Sequence, residues 1–155
     1  MPLLRAALSW NFVLATAICA SLLAQLIKVL LNLFIFHRFI AERMWGAGGM
    51  PSSHSATVCA MVVATGRYCG VNSPIFAIAA VLSIIVMYDA MGVRYETGEQ
   101  AKVLNRMFTE WMDQGFEQFQ LPHGKKLKEM VGHTPIEVVT GAALGIVLGF
   151  AMPMI

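Results

Sequence analysis

Four apolar stretches, each near the length of a bilayer crossing, constrain this chain more than any other feature. A helix needs roughly 20 residues to traverse the hydrocarbon. Residues 10–27 carry no charge, and after Lys28 the run resumes to residue 36. Residues 55–66 are uncharged but short, a marginal span that a re-entrant helix would also explain. Residues 68–88 are uncharged and long enough, and residues 138–155 close the chain. Only helices or closed barrels satisfy their backbone in lipid. The reading is therefore an all-α integral membrane bundle of about four spanning helices, forming one domain over residues 1–155. The first run is too long for the apolar core of a secretory signal, and no small-residue cleavage site follows it cleanly.

Composition agrees. Apolar residues make up 57% and charged residues 13%, with a mean hydropathy of +0.66, whereas soluble domains carry about 25% charge. A disordered chain, a nucleic-acid partner and a typical soluble enzyme all fit poorly. The net charge of +2 is too small to imply a polyanionic partner. Cys19, Cys59 and Cys69 sit in apolar runs without metal-ligand spacing, so packing is expected of them, with no metal and no disulfide.

Between the third and fourth runs lies a polar stretch, residues 94–132. Within it Val103, Leu104, Met107, Phe108, Trp111 and Met112 recur at helical spacing beside Lys102, Arg106, Glu110 and Asp113. This describes an amphipathic helix, either in the headgroup layer or against another subunit. Lys and Arg concentrate in the connections 36–53 and 94–132, which the positive-inside rule assigns to the cytoplasm, with both termini outside.

Several polar residues resist dismissal as loop decoration. Lys28 interrupts an apolar helix about two turns before its end. It reads either as a snorkelling lysine or as a functional cation at depth. Asp89 ends the third span and Arg94 follows across Gly92; alone, the two make a structural ion pair. His54 lies in Gly48-Gly49-Met50-Pro51-Ser52-Ser53-His54-Ser55, a helix start whose free amides favour an anion. Ser52 or Ser53 acting as a plain cap is the competing reading.

In Gly132-His133-Thr134-Pro135-Ile136-Glu137, Pro135 suits the first helical turn, and His133 and Glu137 stand four apart on one face. A carboxylate so placed can hold one imidazole nitrogen and leave the other as base or nucleophile. The same step continues through Gly141, Gly145 and Gly149, a row that permits close helix approach in lipid. Two histidines, a carboxylate and two cations suit a phosphoryl group better than zinc.

Together these segments resemble the divergent branch of the type 2 phosphatidic acid phosphatase superfamily, related to acid phosphatases and vanadium-dependent haloperoxidases. The likeness rests on Met50-Pro51-Ser52-Ser53-His54-Ser55, on residues Tyr88 to Arg94, on Gly132-His133-Thr134-Pro135-x-Glu137-Val138-x-x-Gly141, and on Ala24-Gln25-x-x-Lys28. The resemblance implies His133 as the nucleophile forming a phosphohistidine, Glu137 as its orienting carboxylate and His54 as general acid. It also implies Lys28, Arg94 and the amides near Ser52 and Ser53 as the phosphate cradle, with Asp89 in support and no cofactor. Departures from the wider superfamily are Ile35 six residues after Lys28, Ser53 for Gly, Glu137 for Asp, and Leu127 where an arginine is expected.

The function so implied is a metal-independent lipid phosphate phosphatase of phosphatidic acid or phosphatidylglycerophosphate type. Its phospholipid substrate would be met at the cytoplasmic side of a cell inner membrane. The alternatives are an isoprenyl (pyro)phosphate phosphatase of the same fold and a non-catalytic phospholipid-binding or scaffold member; a small transporter and a haloperoxidase fit less well. Four spans make a thin bundle, and a homodimer is expected from the short second helix and the glycine row.

Overall fold

The computed structural model describes residues 11–36, 49–114, 126–129 and 131–154. The connection 37–48, with Arg38 and Arg43, lies outside the described residues, as do the two chain ends and residues 115–125.

Local signals account for the five described helices. Helix α1, Phe12–Phe36, begins where Asn11 Oδ1 accepts the Leu14 amide at 3.0 Å. Helix α2, Ser53–Cys69, is capped by Ser52 and ends at Gly70, whose φ of 83° is left-handed. Helix α3, Pro74–Met91, starts from Ser73, which accepts the Phe76 amide at 3.2 Å, with Pro74 in the first turn. Helix α4, Val93–Asp113, follows one residue later, across Gly92. Helix α5, Pro135–Ala151, closes the described fold. The apolar run from residue 68 is thus divided: Tyr68 and Cys69 complete α2, and the turn at 70–73 moves the start of α3 to Pro74, because glycine and Ser-Pro break the helix.

Packing runs opposite to that of a soluble domain. The centre is built from Ala20, Ala24, Ala56 and Ala60, flanked by Leu144 and Leu148. Large apolar residues face outward along α1, α3 and α5: Leu22 is 65% exposed, and Ile78, Ile84 and Val147 are similarly open. Exposing such a surface to water costs about 25 cal/mol per Å². In lipid it costs nothing comparable, and small residues let backbones meet. Helix α2 is central, contacting α1, α3 and α5, most extensively α5. The glycine row makes that contact: a Cβ on Gly141 would strike the Ser52 carbonyl, and one on Gly145 the Ala56 carbonyl.

Two stretches are long and apolar enough to cross a membrane by length and composition, Phe12–Phe34 and Pro74–Asp113, the latter running through α3 into α4. Helices α2 and α5, at 17 residues each, measure about 25 Å, the lower edge of the spanning range. The count of four full-length spans is corrected to that extent. Helix α4 carries the expected amphipathic pattern, with Val103, Leu104 and Met112 exposed beside a Lys102–Glu99 ion pair at 2.6 Å.

One end of the bundle is latched by Arg67, which donates to the carbonyls of Gly149 at 2.6 Å and Met152 at 2.7 Å and lies over the Phe12 ring. Cations at a helix C-terminus complement its dipole. The chemistry gathers at the other end.

Candidate active site

Four helix ends converge there: the start of α2, the end of α3, the start of α4 and the start of α5. Each delivers one element, and Lys28 joins from within α1. His54 is the second residue of α2. His133 precedes α5, and its backbone amide donates to the Ala90 carbonyl at 3.1 Å, pinning it to the end of α3. Gly132 makes the approach possible, since a Cβ there would meet the backbone of Arg94 and Tyr95.

The two imidazoles consequently face each other, ring centroids 6.0 Å apart and planes at 80°. They line a half-open cavity of about 260 Å³ together with Ile85, Val86, Asp89, Ala90 and Arg94. His133 is 2% exposed and its Nε2 has no hydrogen-bond partner among the described residues. Buried polar atoms are rarely left so, and an unpaired imidazole nitrogen beside a cavity is one a ligand can engage. Burial holds the His133 imidazole below the ordinary histidine range, and the Lys28 cation acts in the same sense, against the opposing charge of Glu137. The ring is therefore neutral near pH 7, the form in which nitrogen is nucleophilic.

Lys28 is 2% exposed. Its methylene stem lies beneath Gly49, whose φ of 88° places backbone where a Cβ would come 3.5 Å from Lys28 Cδ. Buried and electrostatically coupled to both histidines and to Glu137, it is not a snorkelling surface residue. Arg94 reaches the cavity rim, where its Nε donates to Asp89 Oδ2 at 2.6 Å. Both readings of that pair hold together: it is an ion pair, and both members line the cavity.

Glu137 differs from expectation. One carboxylate oxygen accepts the Gly49 amide at 3.1 Å and the other the Thr134 amide at 3.0 Å, the latter being the carboxylate half of a capping box. Neither oxygen takes a ring hydrogen bond from His133. The expected imidazole-orienting bond is corrected: two unsatisfied backbone amides compete for the same acceptor. Glu137 instead fixes the loops on which the histidines sit.

The serine cradle is corrected in part as well. The Ser52 amide donates to the Glu137 carbonyl at 2.9 Å, and Ser52 Oγ accepts from the Ser55 amide and hydroxyl. Ser52 is thus a cap and a tie between α2 and α5. Ser53 Oγ accepts from Gln25 at 3.4 Å, while the amides of Ser53 and His54, in the first turn of α2, have no intrahelical acceptor.

Ile85, Val86 and Ala90 are cavity residues that sequence reasoning passed over. Their signal was helical spacing: Ile85 and Asp89 stand four apart, as do Val86 and Ala90. Among the described residues no group of three His, Cys, Asp or Glu side chains is placed to hold a metal.

Comparisons with known proteins found a family and a relative. Residues 9–148 match the family model described as the Divergent PAP2 family. The uncharacterized membrane protein YuiD of Bacillus subtilis (strain 168) is 38% identical over 144 residues, which are 89% of this chain and 91% of the relative. No solved structure matches the chain.

Proposed function

The chain belongs to the Divergent PAP2 family, and from that premise we propose a membrane-embedded phosphomonoesterase acting on lipid phosphates through a phosphohistidine on His133. One observation carries the reading: His133, buried and with an unpartnered Nε2, faces His54 across a cavity that also holds Arg94.

A near-attack nitrogen–phosphorus distance is roughly 3–3.5 Å, and an acid needs about 2.6–3.2 Å to its leaving oxygen. Both rings line the cavity from which a phosphate ester would be reached. Neutral His133 attacks phosphorus, forming the N–P bond as the ester O–P bond breaks, and protonated His54 gives its proton to the departing alkoxide. Water then attacks the phosphohistidine, losing a proton to His54 as the N–P bond breaks. Lys28, Arg94 and the first-turn amides of α2 offset charge on the equatorial oxygens, the main requirement of phosphoryl transfer. Asp89 supports Arg94, and no metal takes part. In this reading α1 to α3 and α5 lie in the bilayer and α4 at its surface, and by the positive-inside rule the headgroup would sit at the cytoplasmic boundary with the acyl chains in lipid.

A second reading, a phospholipid-binding member without turnover, draws on the cradle itself: Ser52's amide is already used by Glu137 and Arg94 is paired with Asp89. Phosphate release from phosphatidate, phosphatidylglycerophosphate and isoprenyl (pyro)phosphate by purified wild type and His133→Ala separates these. The proposal expects release by wild type and none by the variant. Binding of a lipid phosphate without release by wild type would establish the second reading.

A further inference from the structure

We propose that Asn105, in the middle of α4, is a positioning residue for His133, acting through the strap of chain that carries it. The inference rests on the phosphatase reading of the site but concerns a residue remote from the cavity.

The strap lies antiparallel against α4 and is anchored at successive points. Asn105 is 5% exposed. Its Nδ2 donates to the Leu127 carbonyl at 2.9 Å and to Glu129 Oε1 at 2.8 Å, and its Oδ1 accepts the Leu127 amide at 2.9 Å. One side chain thus satisfies both backbone groups of one residue, as a neighbouring strand would. Two turns earlier on α4, Gly98 admits the backbone of Glu129 and Val131. One turn before that, Arg94 and Tyr95 receive Gly132, and the Ala90 carbonyl receives the His133 amide. Positions 105, 98, 94 and 90 meet 127, 129, 132 and 133 in reverse order.

The Gly98 and Gly132 contacts are steric: they admit the strap closely, but a glycine has no side chain with which to hold a register. Asn105 supplies specific, directional bonds in the half of the strap farthest from the site. Without them, among the described residues, the His133 amide bond at Ala90 is the hydrogen bond left to carry the register. Since a displacement of about 1 Å at a reacting atom can cost about 100-fold in rate, a slackened strap lowers turnover while leaving the cavity's cations in place.

The test uses the full chain in lipid nanodiscs. Asn105→Ala is expected to lower kcat about tenfold, with KM changed less than twofold, in protein that remains folded at the assay temperature. Asn105→Asp keeps the acceptor for Leu127 but faces the Glu129 carboxylate, so it is expected to be impaired, and adding Glu129→Gln is expected to restore much of kcat. A second readout is independent of turnover: the His133 ring resonance in histidine-labelled protein is expected to broaden or shift in Asn105→Ala. Unchanged kcat with an unmoved His133 signal would overturn the inference, as would a loss of activity that simply follows lost folding in every variant. Wild type without phosphate release overturns the phosphatase reading instead, leaving the resonance to decide on the strap.

Discussion

The Ser52 amide donates to the Glu137 carbonyl at 2.9 Å, and this bond joins the cap of α2 to the first turn of α5. The two segments bearing His54 and His133 are thereby set by one another. The Glu137 carboxylate repeats the tie through the Gly49 and Thr134 amides.

Replacing Glu137 therefore acts on the loops before it acts on chemistry. Glu137→Ala strands two amides and is expected to cost about 1–3 kcal/mol; Glu137→Gln retains one good acceptor and is expected to cost about half as much. Thermal or denaturant unfolding in detergent checks the order. Equal stabilities of both variants and wild type would show that the carboxylate does not hold the loops.

Gly145 is expected to be among the least tolerant positions outside the site. A Cβ there meets the Ala56 carbonyl, so Gly145→Val must push α5 off α2, at a cost of about 1–3 kcal/mol or more. Gly70, where a Cβ would find open space, provides the contrast: its cost arises from the left-handed φ alone, about 1 kcal/mol. Unfolding temperatures of the two variants measure the difference.

The pH dependence follows from His133. Its folded pKa lies below the ordinary value, through burial first and the Lys28 cation second. The native state then binds fewer protons than the unfolded state just below about pH 6.5. Stability is accordingly full above that value and declines as pH falls through it. Turnover is expected to follow a bell, with its acid limb below about pH 6.5 because His133 must be neutral, and its alkaline limb set by loss of the His54 proton. A rate profile flat from about pH 5 to 8 would contradict opposed protonation states in the pair.

Asp89 and Arg94 should separate binding from chemistry. The Nε bond to Asp89 leaves the terminal guanidinium nitrogens for an anion, a bidentate arrangement that lysine does not reproduce. Arg94→Lys is expected to raise KM about tenfold, and Asp89→Asn to raise it less, by freeing the guanidinium to wander. Steady-state kinetics on a lipid phosphate gives both numbers. Vanadate should compete with substrate in wild type and more weakly in Arg94→Lys.

Much of this was legible in the linear chain because the relevant rules are local. Apolar runs without charge identify helices suited to lipid, Pro135 after Thr134 marks where α5 begins, and the spacing of Gly141, Gly145 and Gly149 announces a face made for close contact. The motifs around His54, Asp89–Arg94 and His133 named the residues that now surround one cavity.

What the chain order alone did not decide was who bonds to whom across the bundle. His133 and Glu137 stand four apart, yet the carboxylate is taken by the amides of Thr134 and of Gly49, 88 residues away, which folding brings to it without another acceptor. Ser52 looks like a free helix-start donor until α5 supplies the Glu137 carbonyl. Asn105 is an ordinary polar residue of an amphipathic helix until the strap lies against it. Periodicity is a property of neighbours along the chain; the choice of hydrogen-bond partner depends on which distant backbone groups arrive without one, and only the packed structure settles that.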